Sequence, residues 1–579
     1  MRRILPGVKM LRLGLASVVA LALYVPPAYA GGVEFPSAGT QTLGRGGANH
    51  ARPGDPMALL YNPANLAASS GIQLSLQTHI AFYHACFRRA GTYTGYGDPQ
   101  QNDYGDGAPP QMETVDGIQR ESESAFNDFG NYPDGAFPEV CNSGPPGIVP
   151  ELILTWRAHK MLGIGVGFVA PAAVGHTIWG GTQRVGDRRY RGIVDGLPAP
   201  TRYSLIEEQL LIAFPTIGVG FAPHPRIRIG AAFGSGFGIF HFESALRAVR
   251  GEEFAGDVYS ELDATDPFIP RVTASIHAVP HDNIDVSATF TWTQDIEAEG
   301  DTRLQSGYYR SSILEELTIP GTTLRAPQPW SVALGLRYAD RIAPRPEDPN
   351  VVSRLTGRVE DPMANERWDI ELNVIYERNS EVTEFRALLP NNPARPDGFW
   401  IIQPDTGIPA TLPNDVLLEH EWKDSWSFRL GGDWNIMPGL AAVRFGLSYE
   451  TKGVKDGYEQ LDFMPFDRIG GHVGLTLRVG RFDISLAYAY IHQLEINRRQ
   501  GRVQQINADH RLAELNCEAD PTCAALPDDQ RRRHVAGDAD PSVTAAGTSS
   551  NFGEGTVINA GRYRSRFNVL SIGLTYHFQ

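Results

Sequence analysis

The chain has 579 residues, 42% of them hydrophobic and 10% aromatic, and it carries 61 glycines and 42 prolines. The formal charge of −15 excludes the broad basic surface of a nucleic-acid binder, and the apolar content is too high for wholesale disorder. Beyond the N-terminus no run of about 18 apolar residues could cross a bilayer as a helix. A large, glycine-rich chain of modest hydropathy does fit a membrane β-barrel, where apolar and polar residues alternate.

Residues 1–30 read as a secretory signal. Arg2, Arg3, Lys9 and Arg12 form its positive end, Leu13 to Val25 its apolar stretch, and Ala28-Tyr29-Ala30 a small-x-small cleavage site. Losing those four cations takes the mature chain from −15 to about −19. Exported thiols tend to oxidise, and no CxxC spacing invites a metal. Four cysteines allow three pairings; Cys86 with Cys141 and Cys517 with Cys523 are the candidates.

Residues 31–70 are rich in small residues and do not read as a membrane strand. They contain Leu43-Gly44-Arg45-Gly46 with Ala48, and Tyr61-Asn62-Pro63-Ala64 with Leu66-Ala67. Such a segment, placed before a barrel, can fold back into the lumen as a plug.

From Gly71 onward, segments of about ten residues alternate in hydrophobicity, the length and period of tilted membrane strands. The first is Ile72, Leu74, Leu76, Thr78, Ile80, Phe82 with Gln73, Ser75, Gln77 and His79 between. Further strands are expected at 152–156, 162–168, 203–222, 227–242, 271–279, 284–292, 330–338, 368–376, 426–436, 441–449, 472–479, 482–490 and 568–578. That makes fourteen, an even count that returns both ends of the barrel to one side. Short turns such as Pro223-His224-Pro225, Met437-Pro438-Gly439 and Gly480-Arg481 alternate with long polar connections: 84–149, 171–202, 243–270, 293–329, 377–425 and 491–567, with 450–471 shorter. One connection on the short-turn side, between 338 and 368, is longer and rich in Pro and Arg. This sorting places turns in the periplasm and loops outside. Trp156, Trp292, Tyr338, Tyr376, Tyr449, Tyr490 and Tyr576 at strand ends suit interfacial girdles. The two cysteine pairs then fall in the first and last outer loops, and a disulfide is expected within each.

With the hatch-like segment and the strand count together, the sequence resembles the FadL/TodX-type outer-membrane transport family. The motif residues Leu43, Gly44, Arg45, Gly46, Tyr61, Asn62, Pro63 and Ala64 carry the resemblance; Asn65 stands where such proteins often have Gly, and the chain ends Phe578-Gln579 instead of on an aromatic. The resemblance implies an all-β fold, a fourteen-stranded antiparallel transmembrane barrel with an N-terminal hatch in the lumen. It implies passive uptake of long-chain fatty acids or other hydrophobic compounds across the outer membrane of a Gram-negative bacterium, without catalysis. Ligand would be captured among the outer loops, pass to a pocket against the hatch, and leave sideways through the wall near the third strand. The expected partners are a hydrophobic small molecule, outer-membrane lipid and lipopolysaccharide, and the barrel-assembly machinery. A monomer is expected, with no nucleic acid, cofactor or metal.

The third strand suits such a gate: Gly163, Gly165 and Gly167 remove side chains from one face and Pro171 removes a ladder donor. An alternative use of those glycines is to make room for the plug. Strand parity points Arg337, Arg429, Arg444 and Arg478 into the lumen, where each could meet a ligand carboxylate or pair with an acid such as Asp285, Glu371 or Asp433. Gly234-Ser235-Gly236-Phe237-Gly238 lacks the helix of a phosphate loop, and His241-Phe242-Glu243 reads as a strand end. Asp98, Asp103 and Asp106 match no calcium loop, and Arg531-Arg532-Arg533-His534 reads as a solvated or lipid-phosphate-facing loop. Competing readings are a loop-based adhesin on a barrel anchor and an outer-membrane lipase, for which no Ser/His/acid set stands out.

Overall fold

The computed structural model describes residues 37–91, 114–115, 118–119, 136–247, 254, 257–310, 313–342, 344–345, 360–391, 399–402, 409–412, 415–503 and 557–578. The signal segment, Cys517 and Cys523, Asp98, Asp103, Asp106 and the Arg531–His534 run lie outside them.

Fourteen strands form one antiparallel barrel. They are β1 (Ile72–Arg89), β2 (Gly147–His159), β3 (Leu162–Ile178), β4 (Glu207–His224), β5 (Ile227–Arg247), β6 (Asp257–His281), β7 (Ile284–Thr293), β8 (Ser331–Arg341), β9 (Glu366–Glu377), β10 (Ser425–Met437), β11 (Ala441–Glu450), β12 (Arg468–Val479), β13 (Phe482–Arg498) and β14 (Gly561–Phe578). Each pairs with the next, and β1 pairs with β14 from Ile72↔Phe578 to Arg89↔Gly561, which closes the ring. Closure leaves no edge, so every spanning backbone group finds its partner in a neighbouring strand.

Burial follows the two-residue period. On β14, Leu570, Ile572 and Leu574 are exposed outward, while Val569, Ser571 and Thr575 are buried inward. A barrel with its leucines outside and its serines inside is the inverse of a water-soluble protein, and its outer band faces lipid. The aromatics form two girdles around it. Trp330, Tyr376 and Trp426 run ring to ring on the extracellular side at 5.8 and 5.0 Å, and Tyr338–Trp368 and Phe482–Tyr576 lie on the periplasmic side at 5.5 and 4.8 Å. This architecture belongs to the Gram-negative outer membrane.

The fourteen expected strands are all present, but several are longer than expected. Two strands, Ile296–Ser306 and Glu315–Ala326, occupy the connection read as a polar loop at 293–329. The upper part of β6 pairs with the first of them from Val258↔Ser306 to Thr265↔Glu299, so the sheet continues above the membrane. There both faces meet protein or water, and the alternation that marks a lipid-facing strand is lost. The fourth strand starts at Glu207, because Thr201–Ser204 form a turn. Cys86 and Cys141 are bonded as cross-strand partners, tying β1 to the short strand Glu139–Cys141. The bridge thus joins two strands, although it was expected within a loop.

The described end of the periplasmic connection between β8 and β9, residues 360–365, lies against the lumen. Asp361, Met363 and Ala364 are buried, Glu360 accepts from Arg228 at 2.9 Å and Asp361 from Arg478 at 2.7 Å.

Candidate functional site

Residues 37–70 fill the barrel. Two short helices, α1 (Thr40–Gly44) and α2 (Ala58–Tyr61), precede a 3₁₀ turn at Pro63–Ala68. Their sequence is small because the wall approaches closely. A Cβ on Gly431 would lie 1.9 Å from the Arg45 carbonyl oxygen, and one on Gly230 would lie 2.2 Å from the Ala64 nitrogen. Gly46 has φ +67°, a left-handed turn that a larger residue resists.

Arg45 anchors the hatch and is wholly enclosed. It donates to Asp369 at 2.8 Å, Asp433 at 2.6 Å and Glu371 at 3.2 Å, and to the Ala48 carbonyl at 2.8 Å. Asn62 donates to the His50 carbonyl, and the Tyr61 hydroxyl to the Ala38 carbonyl at 2.9 Å. Asn65, the departure from the family pattern, accepts from Arg228 at 3.1 Å and donates to the Arg52 carbonyl at 3.2 Å, so it bolts the hatch to β5. A glycine there would make neither bond.

The four lumen arginines do face inward, but three are used internally. Arg337 bonds Asp285, Glu366 and Asp369; Arg478 bonds Asp361 and Asp483; Arg444 lies 3.1 Å from Asp433 and reaches Gln41 on the hatch. Arg429 differs. It bonds the Ser427 hydroxyl at 3.1 Å and has no ion pair among the described residues.

Above the hatch three cavities run together. The outermost is an apolar cleft of about 880 Å³ at the extracellular end, lined by Leu205, Leu246, Leu262, Val416 and Leu418 with Asp462 at its rim. It shares Phe242, Leu324 and Phe385 with a wholly apolar throat of about 330 Å³. The throat shares Ile212, Ile296 and Gln328 with a third chamber of about 510 Å³. That chamber is more polar, with Arg271 held over the Phe214 ring at 5.5 Å and Glu377 and Asn379 on the other wall. Arg429 lies two rungs below Glu377 along the β9–β10 ladder, between chamber and hatch. Sequence parity missed this path. Leu210, Ile212, Phe240 and Phe242 are apolar residues in β4 and β5 where a lumen position is usually polar, and that break in alternation was the available signal.

The path ends at an interruption of the wall. β2 and β3 pair from Trp156↔Ile164 only as far as Leu152↔Phe168, while residues 147–151 of β2 pair with β1 alone. Across the same stretch β3 slips against β4: Phe214 faces Val169, Ile212 faces Ala172 and Leu211 faces Val174, so β3 carries two extra residues. Pro171 is in the slipped segment. Gly163, Gly165 and Gly167 lie below it, and of the two uses open to them, the room they leave for the plug has contacts behind it. A Cβ on Gly163 would fall 1.8 Å from the Leu66 carbonyl oxygen, and one on Gly165 would press on Leu66 and Leu59. A side chain at either position would therefore press on the hatch.

On the extracellular rim His241, at the top of β5, lies 2.7 Å from Asp263 and 3.3 Å from Glu243, which also binds Arg191. Burial opposes charge on the imidazole, but Glu243 and Asp263 outweigh it and hold its pKa up to about 9. Burial likewise opposes the Glu243 carboxylate, yet His241 and Arg191 hold it down to about 2. The imidazolium therefore stabilises the rim fully below its ordinary 6.5 and ceases to as pH rises through about 9. The Glu243 contribution is present above 4.5 and is lost as pH falls through about 2. Amide exchange at the tops of β5 and β6 is expected to be slow near pH 6 and to accelerate, beyond the intrinsic base-catalysed rise, between pH 7 and 10. His241→Gln should remove that extra acceleration.

No protein-family model and no curated protein sequence matches the chain. Solved structures do. A FadL homologue of Pseudomonas aeruginosa superposes with a TM-score of 0.61 at 14% identity, over 95% of this chain and 100% of that one. The toluene transporter TodX of Pseudomonas putida gives 0.51 at 12% identity, over 93% and 98%, and the monoaromatic hydrocarbon channel CymD gives 0.52 at 11%, over 95% and 99%. The chain has the fold of the FadL/TodX type.

Proposed function

We propose that the protein carries hydrophobic compounds passively through the outer membrane, with capture in the extracellular cleft, passage through the apolar throat, and sideways exit at the β3 interruption. The observation that carries this reading is convergence: Ile212 and Phe214, which line the last chamber, are the β4 residues facing the slipped segment of β3. The physical logic is direct. A water-filled pore offers an apolar solute no gain, whereas burial offers about 25 cal/mol per Å². Release into the bilayer avoids a return to water. Neither an adhesin nor a lipase needs an apolar cleft and throat leading to a chamber beside a gap in its wall.

The ligand class follows from the walls. The throat is without charge, so the transported body is apolar. Arg429, placed under the chamber without an acidic partner among the described residues, suits a carboxylate head; Arg337, Arg444 and Arg478 are committed to lumen acids. Arg429→Gln is expected to weaken uptake of a labelled long-chain fatty acid and to leave toluene uptake unchanged. Equal effects on both would remove the carboxylate role.

Exit is tested separately. Deleting Pro171 and Ala172 restores the β3–β4 register and lets β3 continue its ladder. Uptake by a deletion strain carrying this variant should fall more than tenfold, with surface display unchanged. Wild-type uptake would place the exit elsewhere.

A further inference from the structure

The outer wall is electrostatically two-sided at the level just above its lipid band. On β1, β14 and β13 the row Phe82–Asn568–Tyr490 marks the top of the band. The next row on the same face is His84–Arg566–His492, and above it follow Arg564 and then Arg88 beside Arg562, all exposed. Two acids answer this group: Glu495 holds Arg562 at 2.6 and 2.8 Å, and Glu139 holds Arg564 at 2.5 Å. Arg566 has no carboxylate partner among the described residues, and Arg88 stands across the ladder from Glu139, which is already held by Arg564. His84 is held below its usual range by burial and by Arg566 and Arg564, which agrees with an excess of positive charge there. The opposite flank reverses the sign. At the tops of β5 and β6 and on Ile296–Ser306, the outward row carries half-buried Asp263, paired with His241, opposite exposed Asp301, and half-buried Glu261 opposite exposed Arg303, with exposed Glu297 and Glu299 below. The basic stripe is therefore not a general property of the rim.

We infer that the β13–β14–β1 stripe binds the phosphorylated sugar headgroup of an outer-leaflet glycolipid, with Arg566 and Arg88 as the principal contacts. Three features point to that occupant. The cations stand directly above an aromatic shelf, which matches an amphiphile with acyl chains below and phosphate above. Guanidinium groups favour bidentate contact with phosphate oxygens. The three strands are rigid and in register, so the charges are held at fixed spacing. This inference requires the barrel to be embedded as described, and it is independent of what the lumen transports.

The test is native mass spectrometry of the full-length barrel in detergent, with diphosphoryl lipid A as the probe. The wild type should retain one molecule, at least tenfold more tightly than the Arg88→Glu, Arg566→Glu double variant. Lipid A stripped of both phosphates should bind the wild type as weakly as diphosphoryl lipid A binds the variant. The double variant Arg303→Glu, Arg325→Glu on the acidic flank serves as the charge-matched control and should bind like the wild type. Heat-modifiable migration on gels checks that each variant is folded. Equal binding by wild type and double variant, equal loss in the control, or equally tight retention of phosphatidylglycerol would each overturn the proposal.

Discussion

Ala326→Trp is expected to abolish uptake while leaving a folded barrel at the cell surface. Ala326 is buried in the wall of the throat, whose lining carries no charge and whose open volume is about 330 Å³. An indole there occupies the space that a ligand must cross. Overpacking a tight core costs about 1–3 kcal/mol, but a pre-existing void absorbs much of that, and Ala326 lies on a strand above the membrane band rather than in the closed ring. The loss should exceed tenfold for every hydrophobic substrate alike, since the throat recognises no headgroup. Ala326→Ser should stay near wild type. Labelled-substrate uptake normalised to surface display measures both. Undiminished uptake by the Trp variant would mean that ligand travels outside this throat.

Arg45→Ala is expected to undock the hatch. Its guanidinium neutralises Asp369, Asp433 and Glu371, all buried. Removing one partner of a buried ion pair costs about 3–5 kcal/mol; Asp369 keeps Arg337, and Asp433 keeps Arg52 and Arg444, so the acid left without a cation among the described residues is Glu371. The barrel ladders do not depend on Arg45, so the cost falls on hatch docking and shifts that equilibrium by about a hundred- to several-thousand-fold. Planar-bilayer recordings should show a stable ion conductance in the variant and near silence in the wild type. Cells should become sensitive to bulky polar antibiotics. A closed variant would show that packing of the small residues holds the hatch without the ion network.

The ring of strands was legible because a lipid-facing strand enforces a strict two-residue period. Ile72 to Phe82 and Leu570 to Phe578 could be assigned to a face residue by residue. The inward aim of Arg337, Arg429, Arg444 and Arg478 followed from the same period. Asp285 and Asp433 were among the acids expected to pair with them, and they hold Arg337 and Arg444; which acid meets which arginine, and that Glu366 at the start of β9 also joins Arg337, depended on register. The glycines of β3 were visible, but their role was not, since it depends on where the Leu66 carbonyl lies. The conduit was hidden for a further reason. The throat alone is lined from six separate segments, and the upper ones belong to strands that no bilayer disciplines.

The anchoring of Arg45 also bears on the order of assembly. Its three carboxylate partners are 324, 326 and 388 residues away along the chain, on β9 and β10. The hatch is made first by the ribosome and cannot be secured until those two strands stand side by side. Contacts of such separation are slow to form, since the loop they close must be paid for in entropy before they contribute. A growing barrel therefore keeps an open lumen through most of its construction, and the plug enters as one of the last events.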